Sequence, residues 1–199
     1  MIYSGHATLK YPSRLQALPE ESARIVEAVR SGIADSVFIY RHPLDSLLTN
    51  WLWWRTYLRE NRWIQGISQI YTNTNDLCAD LEADFDNFRA FAEGDPAFLG
   101  RVPVPRFLSF AEFVEETELH LQSATLALRL EDFMADPTKE FLRMTRAISV
   151  EVRLNGRPVA PPRTKAYRWL AVKKGAPRFR CFVDELDSET KRRIARVGY

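Results

Sequence analysis

Hydrophobic and polar positions along this 199-residue chain change period several times, and each change marks an element. Between Pro19 and Arg30, Ile25, Val26 and Val29 share one face while Glu20, Glu21 and Arg24 lie elsewhere. That is a helix, and Gly32 ends it. Ser36 to Tyr40 is a short apolar run with β-branched residues, the pattern of a buried strand. From Asp45 to about Trp63 the period is helical again. Leu47, Leu48, Trp51, Leu52, Trp54 and Leu58 make a broad apolar stripe. Leu77, Leu81, Phe85 and Phe88 predict one helix over roughly Thr74 to Glu93, stopped by Gly94-Asp95-Pro96. Ser109 to His120 reads as a helix, with Ser109 as N-cap and Glu112 three residues on. Thr125 to Leu130 is a second strand. Asp136-Pro137 opens a helix through Ile148, and Ser188 to Arg196 closes the pattern as a charged helix. Met1 to Leu9 has room for one brief strand, and Leu99 to Arg106 and Asn155 to Pro162 read as loops. Strands alternating with helices predict an α/β fold, a parallel sheet with both strands buried between flanking helices.

Composition adds limits. Hydrophobic content of 46% and aromatic content of 12% allow a real core, and the length suits a single domain over residues 1–199. Net charge is +2, too small to argue for nucleic acid or a membrane surface. No apolar run is long enough to span a bilayer, and the opening MIYSGHATLKYP has no signal-peptide core. Cys78 and Cys181 offer neither a disulfide framework nor metal spacing, so a reducing, cytoplasmic location is expected. Oligomeric state, including a homo-oligomer, is left open. One stretch is unbalanced: Arg163 to Arg180 carries seven basic residues and no acid. It is either a solvated face or a clamp for a phosphate.

The candidate chemistry lies in Phe38 to Trp54, FIYRHPLDSLLTNWLWW. A strand ends in Arg41-His42-Pro43 and a helix begins at once. Ligands of open α/β sheets bind at the carboxyl ends of strands. Helix N-termini favour anions, and a guanidinium fork suits phosphate or sulfate. The segment is therefore expected to hold an anionic group. Each residue also has a plainer role: Arg41 ion-paired, Asp45 an N-cap, Thr49 bonded to its own helix, His42 structural. Glu131-Asp132 after the second strand fits helix capping or pairing with an Arg. Trp51 and Trp54 lie on the apolar stripe and suit the core; Trp53 lies off it and suits an acceptor pocket.

Arg41-His42-Pro43-Leu44-Asp45 with Thr49 resembles a motif of the sulfotransferases that use 3′-phosphoadenosine 5′-phosphosulfate (PAPS). That motif is Arg-x-Pro-x-Asp with a hydroxyl residue eight positions after the Arg, usually Ser. The Arg and the hydroxyl hold the cofactor's 3′-phosphate, roles that fall here on Arg41 and Thr49. Leu126 to Pro137, LALRLEDFMADP, is similar to the family's strand, Glu-Asp, Asp/Asn-Pro and helix segment. Lys173-Lys174-Gly175 is similar to the basic loop that clamps the same phosphate, although Arg178-Phe179-Arg180 replaces the Gly and Trp usual there. Ser4-Gly5-His6 falls at about the family's spacing for its general base, which assigns that role to His6. An imidazole with an ordinary pKa of about 6.5 takes a hydroxyl proton near neutral pH.

The resemblance implies a sulfotransferase and P-loop-like fold, and sulfuryl transfer from PAPS to a hydroxyl or amine of a small-molecule or glycan acceptor. One part is missing. The family's phosphosulfate loop, of the type Pro-Lys-Ser-Gly-Thr-Thr, belongs on a first strand upstream of the His. Nothing before His6 has room for it, and it occurs nowhere later. The expectation is a chain lacking its first strand and loop: a fragment, or an inactive remnant serving as a nucleotide-binding or interaction module. A P-loop kinase relative would need a Walker motif, which the chain lacks. A nucleic-acid binder would show steep salt dependence.

Overall fold

The computed structural model describes residues 19–60, 74–95, 108–149 and 168–197. In chain order the elements are α1 (Pro19–Arg30), β1 (Val37–Tyr40), α2 (Pro43–Glu60), α3 (Thr74–Ala83), α4 (Phe85–Glu93) and α5 (Phe110–Ser123). They continue with β2 (Leu126–Arg129), α6 (Leu130–Ala135), α7 (Pro137–Ala147), α8 (Arg168–Gly175), α9 (Pro177–Glu185) and α10 (Ser188–Arg196). Over the described residues the fold is α/β, mostly helical, with a small two-stranded parallel sheet. β1 and β2 pair in parallel, Val37 against Leu126 and Tyr40 against Arg129, with α2 to α5 in the crossover between them. Thr125 pins the start of the pair. Its Oγ1 accepts from the Ser36 N–H at 3.1 Å and donates to Asp35 Oδ1 at 3.2 Å.

Local signals set many boundaries. Gly32 takes φ +71 just after α1, and Gly94 takes φ 77 as the cap of α4, where its N–H reaches the Ala90 and Phe91 carbonyls. Ser109 and Glu112 form the capping box of α5. Asp136 caps α7 through the Lys139 N–H.

The sheet is less buried than the pattern predicts. Phe38 and Tyr40 share one face, with Phe38 stacked on His120 of α5 at 5.2 Å. On the other face Leu128 is buried, but Ile39, its partner in register, is 44% exposed. Two four-residue strands offer too little apolar surface to organise a domain. The core gathers among helices instead: Leu47, Leu48, Trp51 and Leu52 of α2 pack with Leu77, Leu81, Phe88, Phe91, Val114, Val172 and Phe179. Phe88 is fully buried at its centre.

Two further expectations fail for the same reason, contacts distant in sequence. The helix expected over Thr74 to Glu93 breaks at Asp84, which adopts φ −121 and ψ 27. Asp84 Oδ2 accepts from Nε of buried Arg55 on α2 at 3.0 Å, and Arg55 Nη1 also holds Asp80. The basic stretch containing Lys173-Lys174-Gly175, expected as a loop, is helix α8 and leads into α9. Trp169 and Val172 give α8 its buried side, Phe179, Phe182 and Val183 give α9 its own, and the flanking Ala176 and Leu186 pack on the same core. α2 also starts two residues before Asp45, at Pro43.

Candidate anion-binding site

Parallel pairing brings the carboxyl ends of both strands to one edge of the sheet. Because Tyr40 pairs with Arg129, the residues just beyond each strand, Arg41 after β1 and Glu131 two positions after β2, meet there. Arg41 Nη1 donates to Thr49 Oγ1 at 3.2 Å. Arg41 Nε lies 3.6 Å from Glu131 Oε1, with the two side chains 20% and 15% exposed. Both atoms are buried, and at that separation they form a charge pair rather than a hydrogen bond. The Arg41 Nε–H is thus a buried donor that has charge opposite it but no hydrogen bond. Thr49 bonds to Arg41 through its hydroxyl oxygen, which joins the two residues of the Arg-to-hydroxyl spacing.

His42 and Asp45 complete the turn. His42 is buried, and its Nδ1 accepts from the Leu44 N–H at 3.2 Å while its carbonyl accepts from Ser46 N–H at 2.9 Å. It therefore serves α2 as an N-cap through an imidazole nitrogen. This bond places the ring proton of the neutral form on Nε2. Burial, and then the neighbouring Arg41 charge, lower its pKa to about 4. At neutral pH the ring is uncharged, with Nδ1 occupied by the Leu44 N–H. Asp45 does not cap its own helix in the simple way expected. Its Oδ1 accepts the Trp169 N–H at 2.8 Å, in the first turn of α8, across 124 residues. A carboxylate there satisfies a free N–H and complements the helix dipole. The Trp169 ring stacks on His42 at 4.7 Å. Sequence patterning missed Trp169, because its partner lies far along the chain.

A pH prediction follows from His42. The unfolded imidazole, with its ordinary pKa of about 6.5, binds a proton before the folded one does. Stability is therefore intact above about pH 6.5 and falls as pH drops toward 4, by about 2–3 kcal/mol from this group. His42→Asn, which keeps an acceptor for Leu44 N–H, should lose that part of the pH dependence in urea titrations. Equal pH slopes for both proteins would show that His42 is not the linked group.

The other expected site residues lie elsewhere. Lys173 Nζ binds Asp184 Oδ1 of α9 at 2.7 Å, and Lys174 is exposed. Gly175 ends α8 against α3, where a Cβ would lie 2.7 Å from Cys78 Sγ. Close helix packing, not approach to a ligand, explains that glycine. Gly175→Ala should cost about 1–3 kcal/mol through overpacking, and Cys78→Ala should restore most of it. Thermal melts of the two single variants and the double variant test this; simple additivity would rule out the contact as the cause. His6 lies outside the described residues, as does the side chain of Trp53 on α2.

Among the described residues no group of three or more His, Cys, Asp or Glu is placed to hold a metal ion, and no helix is long and apolar enough to cross a membrane. What meets at the sheet edge is a cation, a hydroxyl and the carboxylate of Glu131, and a guanidinium beside a hydroxyl suits an oxyanion that can share the cation with that carboxylate. No family model matches the chain, and no curated protein or solved structure matches it.

Proposed function

We propose that this protein is a PAPS-dependent sulfotransferase whose Arg41 and Thr49 bind the 3′-phosphate of the cofactor. The observation carrying this reading is the 3.2 Å bond from Arg41 Nη1 to Thr49 Oγ1 at the carboxyl end of a parallel strand. It joins the two side chains that the resemblance pairs, at the start of the 18-residue helix α2. In the proposed reaction an acceptor hydroxyl or amine attacks the sulfur in line. Its proton passes to His6, the bond from sulfur to the bridging 5′-phosphate oxygen breaks, and adenosine 3′,5′-bisphosphate leaves. Trp53 is the proposed acceptor contact. Lys173, Lys174 and Gly175 contribute less to this reading, since Asp184 and Cys78 already explain Lys173 and Gly175.

A second reading has one sequence observation in its favour: the 199 residues contain no Pro-Lys-Ser-Gly-Thr-Thr type of loop. Such a loop supplies backbone donors for the 5′-phosphosulfate and stabilises the transferring group, and losing one donor of that kind costs about a hundredfold in rate. In this reading residues 1–199 by themselves act as a nucleotide-binding or interaction module without turnover.

Calorimetric titration with adenosine 3′,5′-bisphosphate and with adenosine 5′-phosphate tests the shared part. The bisphosphate should bind about tenfold or more tightly, because only it carries the 3′ group. Equal affinities would remove the assignment. Radiolabelled sulfate transfer to phenols, sugars and amines then separates the two readings: turnover supports the enzyme, and binding without turnover supports the module.

A further inference from the structure

The anion site contains its own anion. Glu131 lies in the first turn of α6, two residues after β2, and the strand register brings its carboxylate to the same edge as Arg41. The pair is largely enclosed, so water screens it weakly. Its 3.6 Å separation gives charge neutralisation without a hydrogen bond, and Arg41 Nε–H stays unbonded. Another Arg41 nitrogen is held by Thr49. An incoming oxyanion must therefore share the guanidinium with Glu131 or displace it. In either case it meets a like charge.

We infer that Glu131 is a built-in competitor at this site, a carboxylate that neutralises Arg41 when no ligand is present and sets the affinity for anions by opposing them. This rests on the proposed role of Arg41 in anion binding. The contrary role is also definite. If Glu131 only holds the guanidinium in its working orientation, removing its charge loosens the cation and weakens binding. The two roles predict opposite signs for one substitution.

Glu131→Gln keeps the shape and removes the charge. Isothermal titration of wild type, E131Q and R41A with adenosine 3′,5′-bisphosphate and with inorganic phosphate decides the sign. E131Q should bind both probes about tenfold more tightly than wild type, and R41A should bind both about thirtyfold or more weakly. Affinity that is unchanged or weaker in E131Q would overturn the competitor role while leaving the nucleotide reading intact, provided that wild type binds the bisphosphate through Arg41. Tighter phosphate binding by E131Q, with no preference of any variant for the bisphosphate, would leave the competitor role standing and remove the nucleotide reading. Absence of binding by both wild type and E131Q would overturn both. Circular dichroism checks that each variant is folded, and Glu131→Ser is read in the same titrations if E131Q is not.

Discussion

Replacing Arg41 with alanine should weaken adenosine 3′,5′-bisphosphate binding about thirtyfold or more, a loss of about 2 kcal/mol or greater. The size follows from the kind of contact. A guanidinium bound to a phosphate makes charge-assisted bonds, roughly twice as strong as neutral ones. Arg41 is at least four-fifths enclosed, so water screens the charge only in part. Thr49 supplies a neutral hydroxyl, and Thr49→Val should cost only about 1 kcal/mol. The ordering of the two variants is itself informative. Calorimetry on folded protein measures both. Arg41→Ala with wild-type affinity would mean that the guanidinium serves only Glu131 and Thr49, as an internal ion pair and a tie to α2. The folded state must be checked first, because removing Arg41 leaves the Glu131 carboxylate enclosed without this cation.

Phe88→Ala should be the most destabilising single change in the described structure, at about 3–5 kcal/mol. Phe88 is fully buried. Its ring meets Trp51 edge-on at 5.8 Å and Phe182 edge-on at 5.3 Å, with Phe179 at 5.7 Å and Phe85 at 5.6 Å. These partners come from α2, α4 and α9, so the side chain joins three helices of the core. Its removal forfeits the burial of a large ring and leaves a cavity that rigid neighbours cannot close. Urea unfolding measures the loss. A cost under about 1 kcal/mol would show that the aromatic cluster is not the centre of stability. The residual folded protein should still bind anions with nearly wild-type affinity, since Phe88 lies in the helical core and not at the strand ends. Stability and binding would then separate into two regions of one fold.

The parts of this fold that were legible in the sequence share a property. Each is set by residues within a few positions of one another. The Ser109 and Glu112 capping box, the Asp136 cap before Pro137, and the positive φ of Gly32 and Gly94 are contacts closed inside one turn. The α1 and α10 helices match their predicted spans because their faces alternate within a dozen residues. Arg41 and Thr49, paired by the resemblance, hydrogen-bond across the start of α2.

What the sequence by itself determined, then, was the alternation of strand and helix, most helix ends, and the presence of a cation and a hydroxyl at one strand end. Tertiary structure alone decided the rest. It broke a continuous apolar pattern at Asp84, whose carboxylate is held by Arg55 29 residues away. It turned Asp45 into the cap of α8, placed Glu131 against Arg41 through strand register, and filled the space beside Gly175 with Cys78. The reason is physical. Period and capping report energies within a single element, whereas an ion pair or a close packing contact depends on which surfaces the folded chain brings together.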